Sequence, residues 1–168
     1  DPLFKQTDKL VKGLIEKGAN FTEQEKVLLL QKQREVMGLI IPEYRRLAQQ
    51  GRIELTTTPF YHPILPLLCD TDLAKMAIPD IHLPSRRFMH PEDAQSQVER
   101  AIEFHEQLFG SRPAGMWPAE GSVAEEVLPM LAGAGITWIG TDEGVLARSL
   151  GTHIERDFAG IMKNPAVL

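Results

Sequence analysis

The feature that most constrains this chain is a change of period at Gly51. Upstream of it, apolar residues recur at helical spacing. Downstream, Ile53, Leu55 and Thr57 alternate with Arg52, Glu54, Thr56 and Thr58, the two-residue repeat of a strand. Helical and extended patterns then alternate. In PEDAQSQVERAIEFHEQLF, Pro91 stands at the expected first helical position, Glu92 and Asp93 lie in the first turn, and Gly110 supplies the stop. A short strand is expected from Ala114 to Trp117. Ser122 with Glu125 then matches a capping box opening a helix to about Leu131, before the strand-like ITWIG. Strand, helix, strand, helix, strand in that order predicts an α/β fold with a parallel sheet.

The N-terminal third reads as helical. Thr22 and Glu25 form a second capping-box pattern, and KVLLLQKQREVMGLI is apolar enough to be mostly buried on one side. Pro42 is expected to end or kink that helix, with a continuation to Gly51. Pro59, Pro63 and Pro66 stiffen the loop FYHPILPLL, and Leu73 to Ala77 suggests a short helical turn. No repeat, low-complexity tract or linker divides the chain. Residues 1–168 therefore read as one segment, helical over 1–50 and βαβαβ over 51–168. A closed barrel of βα units takes roughly 200 residues or more, so the expectation is a small open sheet or part of a barrel.

Composition removes several functions. A net charge of −5 lacks the basic face that nucleic acid requires. No apolar run approaches the roughly 18 residues of a membrane span, and no signal peptide opens the chain, so a cytoplasmic protein is expected. It begins DPLF, without an initiator Met, which fits an excised piece as well as an intact protein. One cysteine, Cys69, allows no disulfide framework, and the neighbouring Asp70 and Asp72 disfavour its thiolate. The five histidines include no pair four apart, and no glycine-rich phosphate loop is present. Neither metal nor cofactor is expected.

In parallel α/β folds, ligands meet the carboxyl ends of strands. His62, Glu120 and Asp142 each follow one of the three strands. Glu120 precedes the expected N-cap Ser122 by two residues, where backbone N–H groups favour an ionised carboxylate suited to a nucleophile; an ordinary acidic residue at a helix start is the plainer reading. Glu54 lies mid-strand, either as a substrate contact or second partner inside a barrel, or facing water on an edge strand. His62 either hydrogen-bonds a ligand hydroxyl or serves its loop. Asp142 either orients a substrate or makes an Asx turn. Trp117 offers a flat apolar face to a sugar ring, or packs in the core.

These same stretches, GRIELTTTPFYHPILPLL and GMWPAEGSVAEEVLPMLAGAGITWIGTDEGVL, closely resemble glycoside hydrolase family 57, the α-amylase-like group of bacteria and archaea. The similarity runs through nearly all of the chain, including DPLF and the HPEDA helix. Gly51-Arg52-Ile53-Glu54 looks like the family's second conserved region, and Trp117-Pro118-Ala119-Glu120 like its third, whose glutamate is the nucleophile. The resemblance implies part of an incomplete, seven-stranded parallel (β/α)7 barrel, and an enzyme that hydrolyses α-glucans with retention. Glu120 would form the covalent glycosyl-enzyme, and Asp142 would line the site. The family's first region, a His-Gln-Pro type, and its fourth, which carries the acid/base aspartate, have no counterpart here.

The expectation is thus a central segment of a larger glycosidase, inactive alone. Its partners are an α-glucan and the remainder of the catalytic domain, and its open strand edges invite pairing or self-association. Two readings compete. One is a non-catalytic carbohydrate-binding or scaffold module; the other is a metal-dependent polysaccharide deacetylase, against which the missing histidine pair counts.

Overall fold

A computed structural model describes residues 2–156 and 158–159. The chain divides into two compact units, Asp1–Ile53 and Glu54–Leu168. No break in composition marks the boundary. It falls two residues past Gly51, where the helical period gives way to the extended one.

The first unit consists of four helices: α1 (Pro2–Thr7), α2 (Lys9–Lys17), α3 (Glu23–Gly38) and α4 (Ile40–Gln49). Asp8 caps α2 by accepting from the Val11 amide at 3.0 Å. The expected capping box opens α3: Thr22 Oγ1 accepts from the Glu25 amide, and Glu25 accepts from the Thr22 amide at 2.7 Å. Glu25 also receives Lys17 Nζ at 2.6 Å; that lysine and the Thr22 amide hold its carboxyl below the usual range. The break between α3 and α4 falls at Leu39. Pro42 has no N–H to give the Gly38 carbonyl, and its ring crowds that carbonyl, so one continuous helix cannot form. The apolar run in α3 is not buried as its density suggested. Val27, Leu28, Leu29 and Leu30 are 37–57% exposed, because four consecutive residues wrap most of the way round a helix and share no single face.

The second unit holds the core. Its elements are α5 (Leu65–Cys69), α6 (Ala74–Ala77), α7 (Pro91–Phe109), β1 (Gly115–Met116), α8 (Leu128–Gly133), β2 (Trp138–Ile139) and α9 (Glu143–Leu150). α7 forms as its sequence specifies, with Pro91 in the first turn and Gly110 closing it in the left-handed region at φ 82°. Ala94, Val98, Ala101, Ile102 and His105 make its buried stripe. Val98 and Ile102 pack with Leu65, Cys69, Met116, Val127, Leu131 and Ile136.

β1 and β2 pair in parallel, Gly115 with Trp138 and Met116 with Ile139. The first expected strand does not form as a run. It is reduced to a single parallel bridge between Thr57 and Met116, although Glu54 and Thr56 stay exposed while Ile53, Leu55 and Thr57 are partly covered. The row Thr57–Met116–Ile139 preserves the βαβαβ order, with α7 and α8 as the crossovers. What is described is an α/β unit, mostly helical, around a very small parallel sheet. No helix among the described residues is long and apolar enough to cross a membrane.

Candidate functional site

Parallel pairing gives the row a direction. His62, Glu120 and Asp142 follow it by three to five residues, on the carboxyl side; Glu54 precedes it by three. The structure brings the first two into contact. His62 Nε2 lies 3.5 Å from Glu120 Oε1, with both side chains at least half exposed.

Both residues stand on unusual backbone. His62 has φ 57° and Glu120 φ 56°, and among the described non-glycine residues only Asn20 shares that region. Left-handed backbone at a residue with a Cβ costs about 1–2 kcal/mol, and such outliers cluster at functional sites. The His62 loop is tied down to sustain it. Pro59 and Pro63 flank it, and the His62 amide donates to Pro59 O at 2.8 Å. From α7, Gln97 accepts twice: its carbonyl from the Phe60 amide at 3.2 Å, its side chain from the Tyr61 amide at 2.9 Å. Arg100 lies over both the Phe60 and Tyr61 rings, 4.7 and 5.2 Å from their centres. Gln97 and Arg100 were not legible as site residues, since nothing local marks two helix residues as the anchor of a loop some 36 positions earlier.

The Glu120 turn corrects the sequence expectation. Ala119–Gly121 is a tight turn with Glu120 and Gly121 in the left-handed region at φ 56° and 62°, and the capping box of Ser122 with Glu125 does not form. Ser122 and Ala124 are extended, Glu125–Val127 is another short turn, and α8 begins only at Leu128, with Pro129 fixing its first turn. The Gly121 and Ser122 amides donate to Pro118 O and Ala119 O, at 2.8 and 3.0 Å. The helix-start donors expected beside Glu120 are therefore absent from this turn. The described side chain that meets its carboxylate is His62.

Asp142 caps α9, its Oδ1 accepting from the Gly144 amide at 2.8 Å. Its backbone nevertheless reaches the Glu120 turn. Thr141 Oγ1 donates to Gly121 O at 2.6 Å, and a Cβ on Gly121 would lie 3.5 Å from the Asp142 nitrogen. Trp117 is 47% exposed, so it is not a core residue. Its ring rests on Gly140, where an added Cβ would come within 2.8 Å of it. On another side Trp117 borders a shallow groove of about 380 Å³ between Thr56–Thr58 and the Phe104 and Leu108 side of α7. Glu120 and His62 do not line that groove.

Glu54 is not brought to the His62–Glu120 pair. It is exposed, and its Oε1 accepts from the Trp138 indole N–H at 2.9 Å. The Trp138 ring in turn covers Gly115, where a Cβ would sit 2.3 Å from the ring. Away from the site, burial pushes the Cys69 thiol up, with the charges of Glu126 and Asp70 adding to it. Arg87 pairs with Asp70 and holds that carboxyl at about 2. Among the described residues, no group of three or more His, Cys, Asp or Glu side chains is placed to hold a metal ion.

Three comparisons bear on this arrangement. The family model for glycosyl hydrolase family 57 matches residues 4–164. Alpha-amylase 1 of Dictyoglomus thermophilum is 29% identical over 106 residues, covering 61% of this chain but 12% of that protein. Two solved structures share the fold. The α-amylase AmyC from Thermotoga maritima aligns with a TM-score of 0.53 at 17% identity, over 98% of this chain and 29% of its own. The GH57-type branching enzyme from Pyrococcus horikoshii aligns at 0.52 and 15% identity, over 98% of this chain and 31% of its own.

Proposed function

Because the chain belongs to glycosyl hydrolase family 57, we propose that it carries the nucleophile side of a retaining glycosidase site acting on α-glucans, with Glu120 as the nucleophile. One observation carries this: His62 meets Glu120 at 3.5 Å, each held in left-handed backbone on the carboxyl side of the parallel row. The α-amylase and branching-enzyme names of its relatives support the α-glucan substrate.

In the first step a Glu120 oxygen attacks the anomeric carbon. The glycosidic C–O bond breaks, and its electron pair leaves on the oxygen, which takes a proton from the acid. In the second step that same group, now a base, removes a proton from water, and the water oxygen displaces Glu120 from the carbon. His62 aims the carboxylate. The half-exposed indole of Trp117 offers a sugar ring its flat face, and the Thr141–Asp142 backbone braces the Glu120 turn beside it. Glu54, held by Trp138, steadies the amino side of the sheet instead of touching sugar.

Retention needs a second carboxyl about 5–5.5 Å from the first. Asp142 is engaged as a helix cap, and the chain spans 29–31% of the two solved relatives. We assign the acid/base to a part of the catalytic domain outside residues 1–168, in an incomplete (β/α)7 barrel of which this chain is one piece.

A 5-fluoro-α-glucosyl fluoride tests the assignment. Fluoride departs without an acid, so labelling requires only the nucleophile. Mass spectrometry should find the sugar on the peptide containing Glu120, and not in Glu120→Gln. No label, or label that survives the substitution, refutes the assignment. The half-exposed Trp117 favours a second reading, sugar binding without turnover. Calorimetry with maltooligosaccharides would then show binding that Trp117→Ala abolishes and Glu120→Gln retains.

A further inference from the structure

His62 can aim Glu120 only if the correct ring nitrogen carries the proton. A neutral imidazole has one N–H and one bare nitrogen, and the partner of one nitrogen decides the state of the other. Here Nε2 faces the carboxylate at 3.5 Å, and Nδ1 faces the Thr58 hydroxyl at 3.1 Å. A bare Nε2 would set a lone pair against an oxygen anion. An Nε2–H would set a positive dipole there instead.

The rest of the loop does not decide between these states. Gln97, Pro59 and Pro63 fix its backbone, and the His62 amide is bound to Pro59 O. None of these groups is a described partner of the ring nitrogens. Thr58 is, and its hydroxyl can either donate or accept. When it donates to Nδ1, the remaining proton must sit on Nε2. The threonine is partly buried, on the short segment that bridges to Met116, so the hydroxyl is carried by backbone paired into the sheet.

We propose that Thr58 is a positioning residue: its hydroxyl donates to His62 Nδ1 and so makes the imidazole present an Nε2–H to the Glu120 carboxylate. Glu120 is then oriented by a Thr58–His62–Glu120 chain of contacts in which every donor meets an acceptor. This deepens the nucleophile assignment and rests on it for its purpose, but the tautomer itself is a property of the free protein.

The test is two-bond proton–nitrogen NMR of the 168-residue chain labelled in its histidines, at a pH where the His62 ring is neutral. His62→Gln assigns its signals among the five histidines. The expected spectrum contains a single His62 form with a pyrrole-like Nε2 and a pyridine-like Nδ1. Thr58→Val, nearly the same in volume, should convert this to a mixture of both tautomers; Thr58→Ser should restore the single form. A wild-type ring that is mixed or carries its proton on Nδ1, or a tautomer unchanged in Thr58→Val, overturns the proposal. Because no substrate is present, failure here leaves the sugar-labelling result standing, and a failed labelling leaves the tautomer result standing.

Discussion

Replacing Glu120 by glycine should make the protein more stable than replacing it by alanine. Both variants lose the carboxylate and its contact with His62, so those losses cancel in the comparison. What remains is the backbone at φ 56°. A Cβ there costs about 1–2 kcal/mol, which glycine avoids. Glycine gives back roughly 0.5–1 kcal/mol through the greater freedom of its unfolded chain. The net preference is about 0.5–1 kcal/mol for glycine. Glu103, exposed inside α7, supplies the control with opposite sign. At an ordinary helical position glycine should fall about 1 kcal/mol below alanine. Urea unfolding of the four variants measures both differences. With a slope of about 1–2 kcal/mol per molar, the Glu120 pair should separate by roughly 0.5 M in midpoint, with glycine higher. An alanine variant equal to or more stable than glycine at 120 would refute the claim that this turn holds strain for function. The expected trade is general: an active-site residue kept in costly geometry is one whose removal relieves the fold.

Three further outcomes follow from other contacts. Gly115→Ala should destabilise by about 1–3 kcal/mol by overpacking against the Trp138 ring, and should shift tryptophan fluorescence as the indole leaves Glu54. Gln97→Ala should cost about 1 kcal/mol and speed hydrogen exchange at the Tyr61 amide far more than at Phe60, whose acceptor is the retained Gln97 carbonyl. Asp70 is held at about 2, below its ordinary 3.8, chiefly by Arg87, so its contribution is full above pH about 4 and disappears as pH falls toward 2. Arg87→Ala should therefore lower the urea midpoint relative to wild type at pH 6, with the gap closing by pH 2.

What could be read directly was whatever backbone chemistry settles within a turn or two. The Thr22–Glu25 box, the Leu39 break ahead of Pro42, and the Pro91 start and Gly110 stop of α7 all formed where their residues specify. The parallel pairing of β1 with β2 formed as well, whereas the first expected strand shortened to one bridge. The same local reasoning failed at Ser122, where a capping pattern lost to extended backbone and to Pro129 in the first turn of α8. It failed again in α3, where apolar density did not become burial. The site belongs to neither kind of signal. Glu54 meets Trp138 across 84 residues, Tyr61 meets Gln97 across 36, and His62 meets Glu120 from a different loop. Such contacts depend on how α7 packs between the segments it connects. Short-range propensity stops at neighbours three or four positions apart, whereas packing sets the distance between loops that the chain itself keeps far apart.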